Sequence, residues 1–237
     1  HNTLQTQATQ MAPRARGTAV SIFAACFFFA QAAGVSAGAW ILQSSSPAVL
    51  FALSALILPL VGWGVGQDGR TTGLSLPSAD SQRHLLEQVY GEFGLDPGEL
   101  AFVEAHGTGT RVGDPVEADA LGKALAQTRA QPLPIGSVKS NIGHCESAAG
   151  IAGLTKVLLQ MRHGKLAPSL HAQTLNPLID FGRTPFRVQR ELAPWRRPRV
   201  RVDGVEREMP RLAGISSFGA GGANAHVIVE EYVARAV

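Results

Sequence analysis

Apolar positions are distributed along this chain in two different ways. From Gly17 to Gln67 no Asp, Glu, Lys or Arg interrupts the sequence. Two long apolar runs, roughly Thr18 to Leu42 and Ala48 to Val65, are separated by Gln43-Ser44-Ser45-Ser46-Pro47. About 20 mainly apolar residues suffice to cross a bilayer as a helix, so the pattern predicts a transmembrane helical hairpin within residues 1–66. Arg14 and Arg16 ahead of the first run favour a cytoplasmic start, and Trp40 and Trp63 fall near run ends. A buried pair of soluble helices is the plainer alternative. A cleaved signal peptide fits worse, because two long runs occur and no small-x-small site follows the first.

At Gln67-Asp68-Gly69-Arg70 the charges return and the apolar runs shorten to globular length. No Ser/Gly- or Pro-rich linker separates residues 1–66 from 67–237. Domains normally meet in exposed linkers, so the join reads as a fusion or a rearranged assembly. Within 67–237 the periodicity predicts a helix over 81–93, with Leu85, Leu86, Val89, Tyr90 and Phe93 on one face and Gly94 as its stop. Leu100 to Glu104 reads as a strand. Asp114-Pro115-Val116-Glu117 then opens a helix, with Asp114 at N-cap, Pro115 at N1 and Glu117 closing a capping box. Pro134 to Val138 is a second strand. Glu146 to His163 is a long, almost uncharged helix that ends at Gly164, and its Ala/Gly-rich surface predicts burial on most sides. Arg211 to Ser216 and Ala225 to Glu230 are strands joined by a glycine-rich turn. Alternating strands and helices predict a layered α/β fold.

Composition narrows the functional classes. The net charge of +3 and the lack of interleaved aromatic and basic residues argue against a nucleic-acid partner. The two cysteines, Cys26 and Cys145, lie in segments of unlike character, which argues against a disulfide framework, and no zinc-type spacing exists.

Three polar clusters share one design: Glu104 to Thr110, Lys139 to His144, and Phe218 to Asn224. Each follows a predicted strand, is rich in glycine and carries groups able to act on a carbonyl. Loops at strand ends are where α/β folds build sites. Glycine admits close backbone approach, and histidine supplies a proton or hydrogen bond near neutral pH.

His106-Gly107-Thr108-Gly109-Thr110 with Gly113-Asp114-Pro115-Val116-Glu117 resembles the first histidine motif of β-ketoacyl synthases. Ser137-Val138-Lys139-Ser140-Asn141-Ile142-Gly143-His144 resembles the second, and Ser216 to His226 resembles the closing glycine-rich loop. Order and spacing are similar to those of modular polyketide synthases, over about 170 residues. The runs Gly143 to Gly150 and Val202 to Glu208 resemble the trans-acyltransferase class most. The resemblance implies the C-terminal half of a thiolase-like, layered α-β-α fold. Residues 1–66 weakly resemble the last two helices of a major facilitator superfamily transporter, through Arg14-Ala15-Arg16-Gly17-Thr18-Ala19.

In that family a cysteine thiolate takes an acyl chain from a carrier protein. A malonyl thioester is then decarboxylated, and its carbanion attacks the acyl-cysteine. The resemblance implies that His106 and His144 bind the malonyl thioester carbonyl, with Lys139 supporting the pair electrostatically. Thr108, Thr110 and Asn224 would bind the phosphopantetheine arm. Phe218 and Gly219 would gate the site and help form an oxyanion hole. No metal or bound cofactor is implied, since substrates ride on phosphopantetheine. The implied partners are an acyl carrier protein, the missing N-terminal half and a second copy in a homodimer. The implied location is cytoplasmic, or the membrane if residues 17–66 insert there.

The family nucleophile sits in an Asp-Thr-Ala-Cys-Ser-Ser-type turn, and residues 1–66 contain no such turn; Cys26 lies in an apolar helix pattern. Cys145 is expected to pack at a helix start rather than attack. Asp114 and Glu117 read as capping residues, and Glu146 as a partner of Lys139 or a helix-start acid. His84, His163, His171 and His226 read as structural. The arginines from Arg183 to Arg211 read as a solvated face, with docking of an acidic carrier protein as the alternative. The chain alone is therefore expected to be inactive and to expose a broad apolar face. The alternatives are a membrane-anchored interaction module, a transporter fragment, or an active enzyme whose cysteine half lies elsewhere.

Overall fold

The computed structural model describes residues 60–73, 76–125, 131–202 and 205–233. The chain divides into two compact units, residues 1–58 and 59–237, and all described residues belong to the second.

Its centre is a six-stranded mixed sheet. Strand β1 is Leu60–Gln67, β2 Phe102–Glu104, β3 Leu133–Gly136, β5 Phe186–Val188, β9 Leu212–Phe218 and β10 Ala223–Glu230, in the order β1-β10-β9-β2-β3-β5. The pairs β1/β10 and β10/β9 are antiparallel, whereas β9/β2, β2/β3 and β3/β5 are parallel. Two short antiparallel pairs lie outside this sheet: β4 (Lys165–Leu166) with β6 (Ala193–Pro194), and β7 (Arg199–Val202) with β8 (Val205–Glu208).

Successive strand residues point to opposite faces, and here both faces are covered. Val103, Leu133, Phe186, Leu212 and Ile228 pack with Leu85, Leu86, Val89 and Tyr90 of helix α1 (Ala79–Glu92) and with Leu121 and Leu125 of α2 (Gly113–Leu125). Their sequence neighbours Phe102, Ala213 and Val229 face the other way, onto Val157 and Met161 of α4 (Ala149–His163). A four-residue helix α3 (Lys139–Ile142) follows β3. The result is the layered α/β fold that the pattern predicts, in the α-β-α arrangement that the resemblance implies.

Helix ends follow local chemistry. Ser78 caps α1 by accepting the N–H of Ser81, and Gly94 beyond its end has φ +62°. The segment expected as one helix from Glu146 begins as a 3-10 turn, Glu146–Ala148, before α4, which stops at Gly164 with φ +60°.

One expectation is overturned outright. Residues 60–65, read as the end of a second membrane-crossing helix, belong to strand β1 and pair with β10. Gly62, Gly64 and Gly66 share the face of β1 that abuts α1; a Cβ on Gly64 would come within 2.5 Å of Val89 Cγ2. The apolar character of the segment thus serves close strand-on-helix packing, and the globular unit starts before residue 67. The rest of the expected hairpin lies outside the described residues. Among the described residues, no helix is long and apolar enough to cross a membrane.

The outer surface of α4 is not the buried face its composition predicts. Ile151 and Leu159 are 59% and 48% exposed, and Ile142 and Leu192 are exposed beside them. Together with Cys145, Ala148 and Ala152 they line an apolar concavity of about 620 Å³.

Candidate active site

The three polar clusters lie at the C-terminal ends of three adjacent parallel strands. His106 follows β2 by two residues, Lys139 follows β3 by three, and Phe218 ends β9. Because β9, β2 and β3 are neighbours, side chains up to 112 residues apart in sequence meet there.

His106 is the centre of the group. Its ring lies edge-on to that of His144, with centroids 5.3 Å apart and an interplanar angle of 82°. The Phe218 ring is also 5.3 Å away, tilted by 51°. His106 Nδ1 accepts the backbone N–H of Phe218 at 3.2 Å and lies 3.4 Å from Lys139 Nζ. Two donors on Nδ1 leave the ring proton on Nε2. His144 is fixed in the same sense, because its Nδ1 accepts the backbone N–H of Glu146 at 3.2 Å. Both imidazoles thus keep Nε2–H as a donor.

Burial pushes the His106 pKa down to about 3, and the charge of Lys139 and the His144 ring push the same way. His144 is also lowered, first by burial and then by Lys139. Burial lowers Lys139 too, against the pull of Glu117 and Glu104. Both shifts favour the neutral imidazole, the form in which each ring donates through Nε2–H.

The loop carrying His106 is held from below. Glu117, buried on α2, accepts the N–H groups of His106 and Gly107 at 2.7 and 2.9 Å, one on each carboxylate oxygen. Asp114 accepts the N–H of Gly109 at 2.9 Å. The predicted capping box is not formed: both acids serve the preceding loop, and Thr110 takes the capping position by accepting the N–H of Gly113. Gly107 has φ +49°, and a Cβ there would come within 2.7 Å of Ser137 Cβ. Only glycine lets this turn approach the β3 loop so closely.

Other expected residues are placed differently. Thr108 and Thr110 share a 3.2 Å hydroxyl contact beside the site. Asn224 is buried and donates to Asp68 Oδ1 at 2.6 Å, tying the glycine-rich turn to the end of β1. The N–H groups expected in an oxyanion hole are engaged: that of Phe218 by His106, and that of Gly219 by Ala223 O at 2.7 Å. Cys145 is exposed rather than packed, with φ 55°. Arg197 and Arg211, expected on a solvated face, converge on the largely buried Glu231. His226 is structural as expected: fully buried, it contacts Ser216 Oγ at 3.0 Å and Tyr90 Oη at 3.5 Å.

A cavity of about 570 Å³ opens behind the His106 loop, lined by Gly107, Asp114, Glu117, Ser137 and Ser140 among others, and neither His106 nor His144 lines it. Sequence reasoning missed one partner near the site. Lys156 forms a buried ion pair with Glu104 at 2.7 Å. Its signal was a single charge in the otherwise apolar stretch from Ala149 to Leu159.

Comparison with known proteins agrees with this geometry. Residues 59–173 match the family described as beta-ketoacyl synthase, C-terminal domain. The chain is 58% identical over 167 residues to polyketide synthase ThaG of Burkholderia thailandensis, covering 69% of this chain and 3% of that protein. It is 52% identical over 178 residues to polyketide synthase PksL of Bacillus subtilis, covering 74% and 4%. The solved structure of the oxazolomycin ketosynthase domain OzmH KS7 of Streptomyces albus superposes with a TM-score of 0.70 at 51% identity, covering 75% of this chain and 31% of that one.

The fold and its loop cluster define a condensing-enzyme architecture of the thiolase type. More narrowly, the chain belongs to the β-ketoacyl synthase family and carries the C-terminal half of a ketosynthase domain of the polyketide-synthase kind. It spans only a few per cent of the length of these curated relatives and under a third of the solved ketosynthase.

Proposed function

We propose that this chain supplies the malonyl-handling half of a ketosynthase site that catalyses decarboxylative Claisen condensation. A malonyl thioester on a carrier protein loses CO2, and the electron pair of the broken C–C bond passes into an enolate. The enolate carbon attacks an acyl-cysteine carbonyl and expels the cysteine thiolate, leaving a β-ketoacyl thioester on the carrier. In this reading His106 and His144 donate Nε2–H to the thioester oxygen as negative charge develops, the kind of fixed-donor stabilisation that dominates such steps. Lys139 adds positive potential, Thr108 and Thr110 lie along the path of the phosphopantetheine arm, and the Phe218 ring closes one side. The observation that carries the reading is the pair of imidazoles 5.3 Å apart, each with its Nδ1 already occupied.

The nucleophile comes from elsewhere, and the chain alone does not condense. The apolar concavity along α4 is where an N-terminal ketosynthase half, bearing the cysteine turn, packs. The trans-acyltransferase subclass and operation as a dimer with an acyl carrier protein follow the same resemblance. The test is reconstitution with an N-terminal ketosynthase half from a close relative. Malonyl-carrier decarboxylation and β-ketoacyl formation should appear in the mixture and in neither part alone. Condensation by the isolated chain, or none in a well-formed complex, refutes the proposal.

A further inference from the structure

Glu104 and Lys156 form a buried ion pair beneath the histidines, with side chains 2% and 8% exposed. Glu104 ends β2, two residues before His106. One carboxylate oxygen takes Lys156 Nζ at 2.7 Å, and the other accepts the backbone N–H of Val138, the residue before Lys139. Lys156 projects from α4 over the Phe102 ring, 5.3 Å from its centroid. Gly153, one turn earlier on α4, makes room: a Cβ there would meet Glu104 Cγ at 3.2 Å. Helix α3 has no side-chain cap of its own at Val138, so the carboxylate reaching over from β2 holds its start.

A single side chain thus joins the strand that carries His106, the loop that carries Lys139 and the helix that follows His144. Such a pair is a poor way to gain stability, because burying two charges costs several kcal/mol that their attraction barely offsets. An apolar pair of similar volume would serve the core as well. What an apolar pair lacks is an acceptor for the Val138 N–H.

We propose that Glu104, held by Lys156, is a positioning residue that fixes Lys139 against His106 Nδ1. It touches neither substrate nor ring and acts through the Val138 amide. The inference deepens the ketosynthase reading of the site and rests on it for its functional meaning, but its test does not require condensation.

Two double variants separate positioning from packing: Glu104→Gln/Lys156→Met and Glu104→Leu/Lys156→Met. Both remove the buried charges, and only the first keeps an acceptor for Val138. The readout is the 15N and 13C signature of the imidazoles in the full chain, solubilised in mild detergent and titrated between pH 7.5 and 4.5. The titratable groups around His106 in this titration are Lys139, His144 and Glu117, the last of which accepts its backbone N–H. The wild type and the Gln variant should keep His106 neutral with its proton on Nε2 throughout. The Leu variant should keep its proton on Nε2, held there by the Phe218 N–H, but should titrate, its midpoint rising by at least one pH unit above wild type as Lys139 moves away. Equal His106 behaviour in the two folded variants overturns the proposal. If the Leu variant does not fold, hydrogen exchange of wild-type Val138 decides. Protection at least 100-fold beyond the unprotected rate is expected, and exchange at that rate overturns the proposal. Loss of decarboxylation in a reconstituted His106→Ala enzyme tests the ketosynthase reading separately, so the two can fail independently.

Discussion

The backbone N–H of Phe218 points at Nδ1 of His106, 3.2 Å away and 112 residues distant in sequence, and the same residue lays its ring against the imidazole. One residue therefore sets both the tautomer and the burial of the histidine, by different parts of its structure. In a Phe218→Ala variant the amide survives and the ring does not. His106 should keep its proton on Nε2 while its pKa climbs from about 3 toward the ordinary histidine value near 6.5. Imidazole NMR of the full chain checks this; an unmoved titration shows that the Phe218 ring contributes nothing to burial.

Removing either ring should slow the first chemical step. In the reconstituted enzyme, His106→Ala and His144→Ala should each slow malonyl decarboxylation by about 10²–10³-fold, the usual cost of one oxyanion donor. Because the two act on one oxygen, the double variant should be far less than multiplicative. CO2 release from a labelled malonyl thioester is the measurement, and a fully multiplicative double variant assigns the rings to separate steps.

Glu117 makes the His106 loop pH-sensitive. Burial pushes its carboxyl up to about 7, although the N–H groups of Gly107 and His106 and the charge of Lys139 favour the ionised form. A raised acid binds its proton more tightly in the folded state than in the unfolded one, whose value is about 4.5. Its contribution to stability is therefore greatest below pH 4.5 and is lost as pH rises toward 7, a span worth roughly 3 kcal/mol. Urea melts of wild type and Glu117→Gln at pH 5 and pH 8 should show the Gln variant gaining on wild type at the higher pH. A pH-independent difference would mean that Glu117 is not so perturbed.

His226 acts in the opposite sense. Burial lowers its pKa to about 3, so the unfolded chain takes up the proton first. Stability is complete above the unfolded value near 6.5 and is lost as pH falls from there toward 3. By pH 5 the loss is roughly 2 kcal/mol. A His226→Gln variant should melt lower at pH 7.5 and yet lose less stability between pH 7.5 and 5 than the parent. Parallel pH profiles would contradict the buried, neutral state.

Gly64 is the tightest point of the sheet border. Gly64→Ala should destabilise the fold by about 1–3 kcal/mol through overpacking against Val89, and Val89→Ala in the same chain should recover part of that loss. Chemical denaturation of the two single variants and the double one forms the cycle. Additivity would show that the two sites do not press on one another.

The elements with local signatures were legible in the sequence. Helix α1 carries its apolar face at helical spacing, α4 its glycine stop, and β9 and β10 their glycine-rich turn. The ring pair was legible because His106 and His144 each sit in a dense motif. Strand β1 was not. Leu60 to Val65 is as apolar as a membrane helix, and its alternation of Gly62, Gly64 and Gly66 with Trp63 and Val65 was masked by the run ahead of it. Strand β5 spans only Phe186–Val188, too short to show a period. Glu117 misled for a different reason. Its spacing from Asp114 satisfies the capping rule, but its hydrogen-bond partners lie ten and eleven residues back, at Gly107 and His106. The bond from Asn224 to Asp68 spans 156 residues, a distance over which sequence pattern carries no information.

After His144 the backbone turns left-handed at two successive side-chain-bearing residues, Cys145 and Glu146, with φ 55° and 45°. Each such residue raises the energy of the fold by on the order of 1 kcal/mol relative to glycine. The same turn brings the Glu146 amide to the imidazole. The alignment of the imidazole therefore rests on a strained turn and not on the Cys145 side chain, so glycine at position 145 would relieve the strain and leave the Glu146 amide where the ring needs it.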